Sequence, residues 1–397
     1  MIADALVTCA SLRSSYTAVR SLARLGLRVV VADTSGVGMG QWSRIAGYAG
    51  RYAFPLTQPE QFVEDISALL EKTGARFLLP SHDETEVLAK YRNSLPAGVI
   101  LPVAEYEQIT FANDKARTMA FAASAGLPVP PYLDWRTAEE LEHFLKNAHT
   151  RVVVKLRRGN SAKGVHYPAR PADVEPLCRA LIEKYRLLPE RYPLVQEYVQ
   201  GEGWGVSCLY WQGRRLASFT HRRLREKIVT GGTSTLRESS RNPLLEDYAH
   251  RLLDALNWHG LAMVEFKYDP ISGKGWFIEI NPRLWGSIHL AVAAGVDFPA
   301  LLYFAALDGP QQSLAKAGLQ REGVIARWYL GDVIAAAGEI AHGRLGNALK
   351  WILPGGADTY DDWHWDDPGV FLGQAANYLA RFLQSRELNP ELEGMLW

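Results

Sequence analysis

No charge of one sign dominates this sequence: Lys plus Arg total 43, Asp plus Glu total 43, and the formal net charge is zero. Without a global field, neither nucleic acid nor an anionic membrane is an expected partner, and any phosphate must be bound locally. Cysteine is scarce. Cys9, Cys178 and Cys208 are far apart and form no CxxC pair, which argues against a disulfide framework and a structural zinc site. A reducing cytoplasm is the simplest compartment. Long uniform apolar runs are missing too. The most apolar stretch, Ile288 to Leu307, carries His289, Asp297 and Pro299, a pattern that suits buried helices better than a membrane span. The N-terminus has no basic segment followed by an apolar core and a small-residue cleavage site, so no signal peptide is expected. Neither an internal repeat nor a low-complexity tract stands out.

What is present is an ordinary globular composition: 397 residues, 48% apolar and 22% charged, enough for about two or three domains with large cores. In the opening segment Ala5–Cys9, Leu27–Ala32 and Arg76–Leu79 read as strands, and Tyr16–Leu25, Pro59–Lys72 and Glu84–Tyr91 as helices. That alternation implies an open parallel α/β sheet. Its first turn, Ala10 to Ser15, has no glycine. A dinucleotide fingerprint needs glycines there for close approach of the pyrophosphate, so NAD binding is disfavoured. A helix over Asn113–Ala125 follows and is stopped by Gly126-Leu127-Pro128-Val129-Pro130-Pro131.

From there the texture changes. Strand candidates are Arg151–Leu156, Leu194–Tyr198, Val206–Trp211, Arg215–Thr220, Leu261–Tyr268 and Trp276–Ile280, with helices at Pro171–Tyr185 and Pro243–Leu256. Segregated strands and helices predict an α+β core built on an antiparallel sheet. Beyond about residue 308 the chain turns helical, then aromatic and acidic over Thr359 to Asp367.

The chemistry concentrates late in this core. In Trp276 to Arg283, strand alternation points Phe277, Glu279 and Asn281 one way and Trp276, Ile278 and Ile280 the other. A carboxylate and a carboxamide at a strand end are hard oxygen ligands suited to Mg²⁺. Glu265, in Met263-Val264-Glu265-Phe266-Lys267, supplies a second carboxylate on a strand expected to pair with the first. The alternative is a surface face on which Lys267 answers Glu265 and Arg283 answers Glu279. Lys155 ends an apolar strand, where an ammonium is costly to bury without an anion. The basic turn Arg157 to Val165 follows and offers backbone amides to phosphate. An edge-strand lysine with its head in water explains the same residues. Leu194 to Glu202 is a strand end whose backbone can read adenine, with a carboxylate beyond it for ribose hydroxyls; acidic turns after strands are also common.

Taken in order, these segments resemble the ATP-grasp superfamily. Asn113-Asp114-Lys115 opening a helix that ends in Gly126-Leu127-Pro128-Val129-Pro130 is similar to the entry to its core. Val152–Lys155, Gln196–Glu202, Glu265 and Glu279-Ile280-Asn281-Pro282-Arg283 then follow in the family's order. The resemblance implies an N-terminal α/β domain over 1–110 and an ATP-grasp domain over 111–307 with a lid at about 130–195. A C-terminal helical and aromatic extension over 308–397 completes the chain. It further implies an ATP-dependent ligase that activates a carboxylate as an acyl phosphate and joins it to an amine. Lys115 and Lys155 would hold ATP phosphates, Glu197 and the Tyr198–Val199 backbone the adenine, and Glu202 the ribose. Glu265, Glu279 and Asn281 would bind Mg²⁺ or Mn²⁺, and Arg283 would steady the transferred phosphoryl group. The Gly159–Gly164 loop has fewer glycines than the most glycine-rich members. A thiol or carbamoyl-type nucleophile, or a non-catalytic ATP-binding module, are the competing readings.

Other candidates lie around this set. Arg223 and Arg225, in the basic run after His221, with Gly231 and Gly232 beyond, suit either a clamp for a substrate anion or a solvated strand end. Ser287 belongs with them through Asn281-Pro282-Arg283-Leu284-Trp285-Gly286-Ser287. His82, in Ser81-His82-Asp83-Glu84, sits where open α/β sheets bind ligands, but Ser81 or Asp83 would equally cap the next helix. His289 reads as a packed helix residue, and Trp351 to Trp365 as core or interface. Expected partners are small-molecule carboxylate and amine substrates, and a two-fold homodimer is the commonest assembly.

Overall fold

Apolar β-branched runs bounded by charged turns build the first layer. Ala5–Val7 (β1), Val29–Asp33 (β2), Gly47–Arg51 (β3) and Phe77–Leu79 (β4) form a parallel sheet in the order β3-β2-β1-β4. Helices Arg13–Arg24, Pro59–Thr73 and Glu84–Lys90 connect or follow its strands. The computed structural model describes residues 2–159, 164–226, 233–341, 343, 345–353 and 355–385. Gly231 and Gly232, and residues 160–163 of the basic turn, lie outside them. Strand β3 was not anticipated: two glycines in its five residues give it the texture of a turn.

A small antiparallel sheet follows, from Tyr132–Leu133 (β5), Val152–Lys155 (β6), Val165–His166 (β7) and Leu194–Glu197 (β8), in the order β5-β8-β6-β7. It encloses its own core of Val152, Val154, Val195 and the helix residues Val174, Cys178 and Leu181. The largest sheet has seven strands: Glu202–Trp211 (β9), Arg214–Glu226 (β10), Ser234–Ser239 (β11), Gly260–Asp269 (β12), Lys274–Asn281 (β13), Ile325–Arg327 (β14) and Thr359–Tyr360 (β15). Its order is β13-β12-β9-β10-β11-β14-β15. Strand β11 escapes a hydrophobicity reading because Ser-Thr-Leu-Arg-Glu-Ser is almost wholly polar. The segment after residue 308, expected to be helical, also contributes β14 and β15 to this sheet. The open parallel α/β layer followed by antiparallel sheets and helices is the predicted mixed fold class; the separate four-stranded antiparallel sheet was not distinguished in the sequence.

Two local expectations change. The helix expected from Asn113 is two helices, Tyr106–Asn113 and Lys115–Ser124. Asp114 separates them, accepting from Ala116 N at 2.9 Å and Arg117 N at 3.2 Å, a side-chain N-cap. Strand β13 does not alternate strictly. Glu265 faces Glu279 but Phe266 faces Phe277, so Ile278 is the extra residue of a bulge. Phe277 therefore packs with Ile280, Val264 and Phe266 in the main core, leaving Glu279 and Asn281 on the opposite face without Phe277. Ile288–Leu307 resolves into two helices, Ile288–Ala293 and Phe298–Leu307, broken at Asp297. No helix among the described residues is long and apolar enough to cross a membrane.

Candidate active site

The bulge at Ile278 sets Glu279 directly across from Glu265 on the inner face of β12 and β13. Between them, Asn281 Nδ2 lies 3.1 Å from Glu265 Oε1 and 3.5 Å from Glu279 Oε1. These three predicted metal ligands converge. Burial raises Glu265, and the opposing charge of Glu279 adds to it, outweighing Arg223. Burial also works to raise Glu279, yet Lys115, Lys155 and Arg283 together hold it below the usual carboxylate range. Two facing half-buried carboxylates with an amide are a donor set that a hard divalent cation relieves. No cluster of three His, Cys, Asp or Glu side chains occurs among the described residues.

Cations approach the acid pair from three sides. Lys115, the first residue of its helix, places Nζ 3.2 Å from Glu279 Oε2 and 3.1 Å from Gly159 O. Its backbone N donates to Arg157 O, which ties the helix start to the basic turn. Lys155 Nζ donates to Gln196 Oε1 at 2.5 Å. Burial pushes the Lys155 ammonium down to about 8, with Glu279 resisting and Lys115 assisting. It is not an edge-strand lysine with its head in water. Arg223 Nη2 meets Glu265 Oε2 at 2.6 Å, and Arg283 Nε lies 3.4 Å from Asp83 Oδ1.

The expected nucleotide end is mixed. Glu197 closes β8, but its carboxylate accepts from His149 N at 3.2 Å and faces Thr150 Oγ1 at 3.4 Å. Its side chain is committed to that loop, so a role at adenine falls to the backbone. Tyr198 and Val199 continue the strand end, and the Arg151 guanidinium stacks on Tyr198 at 4.0 Å. Glu202 opens β9 with its carboxylate 42% exposed and 4.0 Å from Arg222.

The substrate candidates separate. His82 Nδ1 lies 3.2 Å from Asp83 Oδ2, so His82, Asp83 and Arg283 join the parallel sheet to the acid pair. Neither Ser81 nor Asp83 caps the next helix; Glu84 Oε1 takes Ser81 N at 2.8 Å and His82 N at 3.2 Å instead. Ser287 Oγ lies 3.0 Å from His221 Nε2, both buried. Arg225 is turned away: it pairs with Asp332 and donates to Thr235 Oγ1, because β10 shifts register between Arg223 and Arg225. Its placement disfavours the clamp role. Room for Arg223 and His221 comes from two glycines in β9. A Cβ at Gly203 would stand 2.9 Å from Arg223 Cδ, and one at Gly205 would stand 2.5 Å from His221 Cε1.

Several site residues were not anticipated. Gln196 follows from strand alternation beside buried Val195 and was open to detection. Glu86, in the Glu84–Lys90 helix and held by Asn113 Nδ2 at 2.6 Å and by Arg158, had no local signal, and Asp83 reads in the sequence only as a helix cap. Arg13, Arg237 and Asp361 form an ion cluster spanning residues far apart in sequence, which no spacing reveals. His289 is packed as expected, its Nε2 2.8 Å from Thr359 Oγ1. Of the aromatic tail, read as core or interface, Trp365 is 84% exposed, so it is not core.

Three histidines, His221, His289 and His250, give an acid-stability prediction. Burial pushes His221 and His289 down to about 3 and His250 down to about 4. Below pH 6.5 the unfolded chain binds these protons and the folded chain does not. Stability is therefore complete above about pH 6.5 and is lost as pH falls. Thermal midpoints measured from pH 7.5 to 4.5 should drop steeply below pH 6.5; a flat profile would remove the buried-histidine account.

Comparison with known proteins accords with this layout. Residues 190–326 match a family model described as ATP-grasp in the biosynthetic pathway with Ter operon. No curated protein matches the chain in sequence. Among solved structures, biotin carboxylase from Campylobacter jejuni in its beta-gamma-ATP complex gives a TM-score of 0.62 at 14% identity, covering 80% of this chain and 74% of that one. N5-carboxyaminoimidazole ribonucleotide synthetase from Thermus thermophilus gives 0.58 at 17% identity, covering 82% and 81%. Phosphoribosylglycinamide synthetase from Anaerococcus prevotii gives 0.57 at 12% identity, covering 81% and 79%. At these identities the likeness is one of fold.

Proposed function

From the ATP-grasp fold that this chain adopts, we propose that it is an ATP-dependent ligase that activates a carboxylate as an acyl phosphate and joins it to an amine, releasing ADP and phosphate. One observation carries the reading: Glu265, Glu279 and Asn281 meet on one half-buried sheet face, with Lys115 and Lys155 around them. Phosphoryl transfer asks mainly for positioning and charge neutralisation, and this constellation supplies both. Glu265, Glu279 and Asn281 would hold magnesium, which would supply charge neutralisation for the transferred phosphoryl group. Lys115 and Lys155 would hold phosphate oxygens, and Arg283, 3.4 Å from Asp83, would steady the transferred phosphoryl group and the acyl phosphate. The division proposed is 1–110, 111–307 and 308–397, with residues 130–195 as a lid that excludes water from the acyl phosphate. A non-catalytic module would have no use for two facing carboxylates that repel each other without a metal.

The reading is tested by ADP release across pools of carboxylates and amines. Steady release that requires both partners supports a ligase; tight ATP binding without turnover in every pool would replace it with a binding module. The Lys155→Ala variant should weaken MgATP binding by about tenfold or more, about 1.4 kcal/mol. Calorimetric titration measures this, and unaltered affinity would remove Lys155 from the nucleotide site.

A further inference from the structure

The sheet face that carries Glu265 and Glu279 continues through β10 to β11, where Arg237 stands opposite Arg223 in register. Arg237 is fully buried, at 0% exposure. Its Nη2 donates to Asp361 Oδ1 at 2.5 Å, while Nε and Nη1 meet no acceptor among the described residues. Unmet donors on a buried guanidinium are costly and call for an anion.

A second arginine shares the same carboxylate. Arg13, the first residue of its helix, pairs with Asp361 through Nη1 and lies over the Trp328 ring at 4.0 Å. Two guanidinium groups thus meet one carboxylate. The adjacent Asp362 turns its oxygens to the backbone N–H groups of Tyr329 and Leu330, accepting from both. The wall beside Arg13 is Gly286, where even a Cβ would approach Arg13 Nη2 to 3.4 Å. Ser287 then reaches His221 on β10.

We propose that Arg237, seconded by Arg13, is an anion subsite that anchors a substrate carboxylate other than the one being phosphorylated. This rests on the ligase reading and deepens it: one of the two substrates bears an anchoring carboxylate, as an amino-acid nucleophile or a dicarboxylate donor does. Arg237 lies one strand, roughly 5 Å, beyond Arg223, which itself reaches Glu265. Asp361 holds the two guanidinium groups in place and competes with the incoming carboxylate.

Thermal shift with the full chain and MgADP tests this, using acetate, succinate and inorganic phosphate against chloride at equal ionic strength. Acetate or succinate should raise the midpoint by at least about 2 °C. Arg237→Lys should raise the half-saturating concentration about tenfold while leaving the MgADP shift unchanged. Asp361→Asn, which removes the competitor, should lower that concentration about threefold or more. If neither variant folds, the wild-type comparison of acetate and succinate with phosphate decides the matter. The proposal is overturned by no carboxylate shift in the wild type, by a shift with phosphate alone, or by a carboxylate shift indifferent to both substitutions. Absence of a MgADP shift in the wild type would instead count against the nucleotide site and the ligase reading beneath it.

Discussion

Glu279→Gln should reduce ADP formation by at least about 10³-fold, close to 4 kcal/mol of transition-state stabilisation, while the protein remains folded. The amide keeps the shape of the side chain but removes the charge on which Lys115 Nζ sits at 3.2 Å. It also removes the anion that most resists the lowering of the Lys155 ammonium, so both lysines proposed to hold phosphate lose their organising partner. Far-UV circular dichroism and the thermal midpoint establish that the fold survives, and single-turnover ADP release measures the chemistry. Near-normal turnover would detach Glu279 from the metal and leave the facing acid pair unexplained.

Asp332→Asn should destabilise the protein by about 3–5 kcal/mol. Asp332 is fully buried and receives Arg225 and Arg327 together, with Arg327 Nε at 2.6 Å. Breaking a buried ion cluster from its shared carboxylate leaves two guanidinium groups in low dielectric, which is worse than never having built the cluster. Arg327 also donates to Leu353 O, Gly355 O and Trp351 O, so the damage should reach the segment between the helices and β15. Denaturant unfolding gives the magnitude, and hydrogen exchange over 325–360 gives the location. A loss below about 1 kcal/mol would show that Asp332 contributes little beyond shape.

The sequence pattern carried the site further than it carried the connections around it. Glu265, Glu279 and Asn281 were legible because a period of two, applied to two apolar strands, brings polar exceptions onto one face. The bulge at Ile278 was not, since an extra residue changes the phase without changing composition. That is why Phe277 was assigned to the wrong face while Glu279 and Asn281 were not. Glu197 was legible as a strand end, but the direction of its carboxylate depends on His149 and Thr150, brought alongside by pairing between β6 and β8. Arg225 was misplaced for the same reason as Phe277, a register shift inside its strand. The Arg13–Asp361–Arg237 cluster was invisible. Its members lie at opposite ends of the chain and meet only when the parallel layer, β11 and the last strand pack together.

Strand β11 pairs on one side with β10, nearby in sequence, and on the other with β14, which is made much later. During synthesis that outer edge stays open for roughly 5–20 seconds at ordinary ribosomal rates. An uncovered strand edge invites other chains to add to it. With Arg237 pointing inward and almost no apolar side chain to offer, β11 is a poor template for such addition. The same polar character that hid it from a hydrophobicity reading protects the nascent chain until residues 325–327 arrive.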